Sequence, residues 1–368
     1  MIYLDNGATT AIKPKSVADA VYRAMTEGYG NPGRGSHAWA QNSYRALRKT
    51  RKNMAKLLGT DDSIALTSGV TESLNVAIHG LIKKGDHVIT SVAEHNSVLR
   101  PLYATGCELD FLPLDENLAP DVSLLDKTLK PNTKAVVITH ASNVVGSVTD
   151  IDAVLDFASA HDLYVIIDGA QGLGQVPVDL SESPTDKLIY CFAGHKSLYG
   201  PMGTGGFFYG KDVHPAPIKV GGSGIESFNH KMPDEKPVLW EAGTANVHGF
   251  AGLAAGAEFV MGEDYFEKKN HIFERLLKGL RELEEYKIFY PKEKGTSCVG
   301  ILKEGMSSQE LSLLLEEEGI ASRPGYHCAP LLHEFLHTKE TGICRLSTSY
   351  FNTEDEIKTV LEVLKTIE

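Results

Sequence analysis

Lys196 is the residue on which the chemistry of this sequence can turn. An apolar run with strand character, Leu188 to Phe192, stops at Gly194-His195-Lys196 and gives way to a loop with four glycines and a proline up to Gly206. A lysine at the end of a buried strand is partly desolvated, which lowers its pKa and leaves free amine for imine formation with an aldehyde. A surface lysine in a strand-to-loop turn has the same local sequence, so its companions decide. Asp168 closes a second short apolar run, Leu163 to Ala170, and strand ends are where open α/β sheets bind ligands. A carboxylate there can hold a ring nitrogen protonated and make the ring an electron sink; an aspartate after a strand is also a common helix N-cap or metal ligand. Ser68-Gly69-Val70-Thr71-Glu72 lies between strand-like Ile64 to Thr67 and helical Glu72 to Ile82. Unpaired N–H groups there, with the Thr71 hydroxyl, would receive a phosphate dianion, unless Ser68 or Thr71 simply caps the helix.

A phosphate cup, a ring-nitrogen partner and an amine, in this order, are what pyridoxal 5'-phosphate needs in a fold-type I enzyme. The chain resembles the class V aminotransferase family, and within it the cysteine desulfurases and selenocysteine lyases of the SUF-type group. The resemblance rests on LDNGATT (Leu4 to Thr10), TSGVTESLN (Thr67 to Asn75), EHNSV (Glu94 to Val98), HASNVVG (His140 to Gly146), DGAQ (Asp168 to Gln171), AGHKSLYGP (Ala193 to Pro201), EAGTAN (Glu241 to Asn246) and RPGYHCAP (Arg323 to Pro330). These segments span nearly the whole length.

The resemblance implies a role for each matching residue. Lys196 binds the cofactor and moves protons, His95 stacks on its ring, Asp168 holds the ring nitrogen and Gln171 reaches the phenolic oxygen. Val70, Thr71 and His195 receive the phosphate, with Thr244 reaching across from a second subunit. Asn143 meets substrate or cofactor and Arg345 and His37 meet the substrate, Arg345 taking its carboxylate as a planar two-pronged match; Arg323 is the weaker candidate and supports the loop of Cys328. Without the family each of these also reads as a structural residue, His95 for instance as a helix-start cap. Where the family commonly has serine this chain has Ala193, a lost phosphate donor worth about 1.5–3 kcal/mol. Thr71, His195, backbone amides and Thr244 are left to compensate.

Cys328 sets the expected reaction apart from amino transfer. Its thiolate, helped by adjacent His327, would attack the sulfur of L-cysteine or the selenium of L-selenocysteine and leave L-alanine. The short GYHCAP loop implies restricted motion and a sulfur-acceptor protein. Other readings stay open: a class V aminotransferase or epimerase with Cys328 incidental, or a sulfur-carrier-binding scaffold with vestigial chemistry. His333 and His337, at helical i,i+4 spacing near His327 and Cys328, could chelate zinc, and Glu334 between them completes an H-E-x-x-H string, but the cofactor site already accounts for Cys328. No metal is expected, and the pair reads as polar-face residues of a short helix.

The bounds agree with such an enzyme. The 368 residues suffice for one large and one smaller domain, and a net charge of -12 argues against nonspecific nucleic-acid or anionic-membrane binding. MIYLDNGATT lacks a secretory signal's basic segment and apolar core, and no apolar stretch is long enough to span a bilayer. Five irregularly spaced cysteines, Cys107, Cys191, Cys298, Cys328 and Cys344, fit a reducing compartment, so a cytoplasmic homodimer is expected.

The elements that must position these residues follow from periodicity. Helices are predicted over 14–28, 36–58, 72–82, 96–105, 121–130 and 150–160, with strands at 64–67, 87–91, 108–112 and 135–139 between them. This alternation predicts an α/β fold with a mainly parallel sheet covered on both faces. Past Gly206 the pattern turns irregular. A long helical region from 247 to 286 then leads to strands near 298–302 and 343–347 and helices at 307–318 and 353–367. The expected division is a segment 1–15 packing with the small domain, a large cofactor domain 16–246, and a linking helix with a small C-terminal α+β domain, 247–368.

Overall fold

The computed structural model of the chain describes residues 1–32, 35–293 and 295–367. The first strand is β1 (Ile2–Tyr3). The central sheet is made of β2 (Ile64–Thr67), β3 (His87–Ser91), β4 (Glu108–Leu112), β5 (Thr133–Thr139), β6 (Tyr164–Asp168), β7 (Leu188–Ala193) and β8 (Gly205–Tyr209). Then follow β9 (Tyr286–Phe289), β10 (Cys298–Lys303), β11 (Ile320–Ala321) and β12 (Cys344–Ser347). The seven central strands lie in the order β2-β8-β7-β6-β5-β3-β4. All run parallel except β8, which is antiparallel to both neighbours. This is the fold-type I architecture of pyridoxal phosphate enzymes.

The central strands read as continuous apolar runs because both faces of the sheet are covered. Val136, Ile138, Val165 and Ile167 enter one core while the alternate residues Ala135, Val137, Ile166 and Ile189 enter another. Helices Ala38–Leu58, Ile151–Ala160 and Val247–Val260 cover the first face, and Val70–Leu81 and Asn96–Thr105 the second. Fully burying each such branched side chain contributes about 1.5–3 kcal/mol, so a one-residue slip of any central strand is excluded. In the C-terminal part β12-β10-β9 form an antiparallel sheet under helices Tyr265–Arg281, Ser308–Glu317 and Glu354–Thr366. The first residues join this part, because β1 pairs with β11 and Leu4 enters the same core.

Three departures from the sequence reading have physical causes. The single helical region over 247–286 is two helices, Val247–Val260 and Tyr265–Arg281, interrupted at Gly262, and its expected end is the start of strand β9. The helix expected over 121–130 shrinks to a 3-10 turn, Val122–Leu124, and one turn of helix, Leu125–Thr128. Strand β8 was hidden by its two leading glycines, yet the strand needs them. A Cβ on Gly205 would lie 2.6 Å from the Gly69 Cα, and one on Gly206 2.4 Å from the Ala65 carbonyl oxygen. The turn-rich stretch at 29–35 includes two positions outside the described residues.

Candidate active site

The C-terminal ends of β2, β3, β5, β6 and β7 open onto one cavity of about 760 Å³, solvent-facing space included. Its wall includes Val70, Thr71, His95, Asn143, Asp168, Gln171, His195, Lys196 and Arg345, the strand-end placement expected of a parallel sheet. Lys196 lies in the turn that ends β7 and is partly accessible from the cavity. Burial pushes its pKa down to about 8, with the Arg345 and Arg323 cations adding to the shift and Asp168 opposing it. Asp168, the last residue of β6, is buried and accepts the Ala170 N–H at 3.0 Å. Burial raises its pKa against the pull of Lys196.

The helix Val70–Leu81 starts two residues earlier than expected, and its N-cap position is Gly69, which has no side chain to cap it. The Ser68 N–H and hydroxyl go instead to the Glu72 carboxylate, at 2.7 and 2.6 Å. The N–H groups of the first turn, beside cavity-lining Val70 and Thr71, are therefore not taken by a cap. Thr71 Oγ1 lies 2.9 Å from the Ser97 hydroxyl. His95 is both a cap and a wall residue: its Nδ1 accepts the Ser97 N–H at 3.0 Å, which leaves the ring proton on Nε2. Burial and the Lys196 and Arg323 cations push its pKa down to about 4. His195 is neutral for the same reasons, near about 4 through burial, Lys196 and Lys13. Among the described residues its buried Nδ1 has no partner.

Other wall residues are held from inside the protein. Gln171 Nε2 donates to the Gly7 carbonyl at 2.7 Å. Asn143, expected to turn toward substrate or cofactor, donates its side-chain amide to the His327 carbonyl at 2.7 Å, and its own carbonyl accepts from Arg345 Nη1 at 3.0 Å. Arg345 is only 2% exposed, pairs through Nη2 with Asp5 at 2.5 Å, and has a buried Nε with no partner among the described residues. Arg323, bridged to Arg345 by backbone, lines the cavity with an exposed side chain.

Three expected residues are not part of the wall. His37 is exposed and caps the helix Ala38–Leu58, its Nδ1 accepting from the Ala40 N–H at 3.3 Å. Thr244 is exposed as well. Cys328 is exposed one residue beyond His327, which does line the cavity. His327 and Cys328 both have positive φ, 49° and 58°, a conformation that costs a residue with a Cβ about 1–2 kcal/mol. The strain is held by the Asn96 N–H on the Cys328 carbonyl, at 2.7 Å, and by the Asn143 amide on that of His327. His327 Nε2 donates to the Ile343 carbonyl at 2.9 Å, and burial pushes its pKa to about 3. It stays neutral, so the cationic help expected for a Cys328 thiolate is not available from it.

His333 also departs from expectation. It is buried, with Nδ1 2.7 Å from the Thr338 hydroxyl, because the short helix Pro330–Phe335 turns this side toward Leu332 and the core. The helix ends before His337, so the two imidazoles do not share its face. Gly7, Ala8, Ser97, Thr139, Ala141 and Ala170 complete the wall without having been singled out. Gly7, Ala8, Ser97, Ala141 and Ala170 fall inside four of the quoted segments, which was the one signal available for them.

The donor set fits pyridoxal 5'-phosphate: a desolvated amine, a buried carboxylate, an uncapped helix start and a neutral imidazole with a spare buried nitrogen face one space. The chain matches the aminotransferase class-V family over residues 2–360. It is 33% identical over 384 residues to cysteine desulfurase CsdA of Escherichia coli (strain K12), covering 99% of this chain and 93% of that protein. A probable cysteine desulfurase of Pyrococcus abyssi (strain GE5 / Orsay) is 32% identical over 384 residues, covering 99% and 94%. The apo structure of a cysteine desulfurase from Thermococcus onnurineus NA1 superposes with a TM-score of 0.90 at 28% identity, covering 99% of this chain and 94% of that one. By sequence and by fold the chain belongs to the aminotransferase class-V family of pyridoxal 5'-phosphate-dependent enzymes.

Proposed function

We propose that the protein is a cysteine desulfurase that takes sulfur from L-cysteine, leaves L-alanine, and carries the sulfur as a persulfide on Cys328, with L-selenocysteine as a second substrate. The observation that carries this reading is the single cavity uniting Lys196, Asp168 and Arg345, with Cys328 one residue from its wall. Near full-length relatives that bear the name cysteine desulfurase support it.

When bound, the cofactor supplies an electron-withdrawing ring next to the amino acid's Cα. Lys196 holds it and then moves the Cα proton at Nζ, a task suited to a pKa of about 8. Asp168 would keep the ring nitrogen protonated, His95 would cover the ring and Gln171 would hydrogen-bond the phenolic oxygen. The Val70 and Thr71 amides, the Thr71 hydroxyl and His195 would hold the phosphate, with Thr244 of a second copy. Arg345, with Asn143 beside it and Arg323 at the opening, orients the substrate carboxylate. His37 stays with the substrate entrance only if a second copy brings it there. On Cys328 a new S–S bond would form as the substrate's Cβ–S bond breaks, the bonding pair staying with Cβ, which takes a proton to become the methyl group of alanine.

A homodimer, a sulfur-acceptor protein and a cytoplasmic location belong to the same reading, as does the division into 1–15, 16–246 and 247–368. The five cysteines are free, and among the described residues no helix is long and apolar enough to cross a membrane. The test is parallel turnover of L-cysteine and L-selenocysteine by the cofactor-loaded protein and its Cys328→Ala variant, following alanine and sulfide or selenide. The variant should keep the bound-cofactor spectrum and lose at least about 100-fold in sulfur release, as expected when a covalent nucleophile is removed. Undiminished release would sink the persulfide step and favour another class V reaction.

A further inference from the structure

The main-chain carbonyl of His195, one peptide before Lys196, is a point of convergence for the first residues of the chain. Four groups reach it: the Thr9 hydroxyl at 3.0 Å, the Thr10 hydroxyl at 3.2 Å, the Thr10 N–H at 3.3 Å and the Lys13 ammonium at 3.1 Å. The Thr10 hydroxyl also lies 3.1 Å from the Lys196 carbonyl, and Lys13 donates to that hydroxyl at 2.7 Å. Thr10 is buried and Lys13 half-buried. Among the described residues Lys13 forms no ion pair within 4.0 Å, and its acceptors are the two neutral oxygens.

An ammonium is a costly group with which to fasten a loop. Taking it out of water without a counter-ion is unfavourable, and burial pushes the Lys13 pKa down to about 8. Two threonine hydroxyls and a backbone N–H already supply the adhesion. What the cation adds is a charge-assisted bond, stronger and more directional than a neutral one, aimed at the peptide that carries the lysine. The same segment continues to the opposite side of the cavity. Gly7 accepts from Gln171, the Gly7 N–H and Asn6 bond to Ser347, and Asp5 pairs with Arg345.

We propose that Lys13, acting with Thr9 and Thr10, is a positioning residue for Lys196: it holds the His195–Lys196 peptide in the orientation that presents the Lys196 amine to the cofactor and then to the substrate's Cα. This rests on the assignment of Lys196 made above. Lys13 does not line the cavity, so it acts through the peptide and not on the reacting atoms. Misplacing a reacting group by about 1 Å costs up to about 100-fold in rate, which sets the size of effect to seek.

The experiment uses the full chain, stripped of cofactor and mixed with pyridoxal 5'-phosphate, with the Lys196-linked absorbance followed in time. Kinetics with L-cysteine and thermal unfolding of the loaded proteins accompany it. Lys13→Met and Thr10→Val should each slow formation of the linkage and lower kcat by about 10-fold or more, with KM within about 2-fold and the unfolding midpoint nearly unchanged. Lys13→Arg should recover most of the loss. Linkage and turnover at the unsubstituted rate in both variants would overturn the proposal. So would losses that simply track a collapse of the unfolding midpoint, because Lys13 would then serve only to fasten the fold. If the unsubstituted chain forms no linkage with the cofactor, the functional reading itself falls and the positioning role with it.

Discussion

The reactivity proposed for Lys196 rests on where β7 ends. In water a lysine amine is almost wholly protonated at neutral pH, whereas burial and the nearby guanidinium groups bring Lys196 to about 8. Because the neutral amine is the nucleophile, its fraction rises as pH rises through that value. Capture of pyridoxal 5'-phosphate by cofactor-free protein should therefore accelerate with pH and level off above about 8. A rate still climbing toward the ordinary lysine value of 10.5 would mean that the amine is not desolvated. Asp168 pulls the other way, its carboxylate favouring the protonated amine, so Asp168→Asn should move this midpoint down while leaving Lys196 in place.

At the scale of elements, the one antiparallel strand of the central sheet brings the turn after β2 against the start of β8. Gly205→Ala would press a methyl group onto the Gly69 backbone, at 2.6 Å, and onto the Phe192 carbonyl oxygen, at 2.8 Å. Backbone atoms cannot yield as a flexible side chain would. The substitution should cost about 1–3 kcal/mol in urea unfolding and weaken retention of the cofactor phosphate, whose proposed cup begins at Gly69. Unchanged unfolding and unchanged retention would show that the strands have room to part. Elements of this kind divide what could be read in advance from what could not. The parallel strands were legible where both faces are buried, so the apolar runs at 64–67, 87–91, 135–139 and 188–192 have few alternatives. Lys196 and Asp168 were legible because they stop such runs. Strand β8 was not, since its first two residues are glycines required by distant backbone. Nor could the sequence tell that the Asn143 amide is spent on the His327 carbonyl, that His327 would be neutral, or that His37 would cap a helix outside the wall. Those outcomes depend on contacts between residues far apart in the chain.

On the scale of the whole molecule, large apolar side chains remain uncovered in this single chain. Tyr22, Met25, Trp39, Val220 and Phe228 are all mostly exposed, Phe228 completely. A second copy is the cover proposed above, and Thr244 would belong to the site only through it. Light scattering at micromolar concentration should give twice the mass of one chain, and Trp39→Glu combined with Phe228→Glu should halve it. A monomer before substitution would remove both the dimer and the role of Thr244. The pairing of β1 with β11 has a consequence for how the protein is made. Ile2 lies beside Ile320, and Asp5 meets Arg345. At about 5–20 residues per second, a ribosome needs roughly 15–60 s after making the first strand to deliver its partner. Once Tyr209 is made the large sheet has all its strands, while Ile2, Tyr3 and Leu4 still have no place to go. Completion of the catalytic pocket is thus among the last events in the birth of the molecule, and a nascent chain halted before Ile320 would carry a nearly finished sheet beside an unfinished active site.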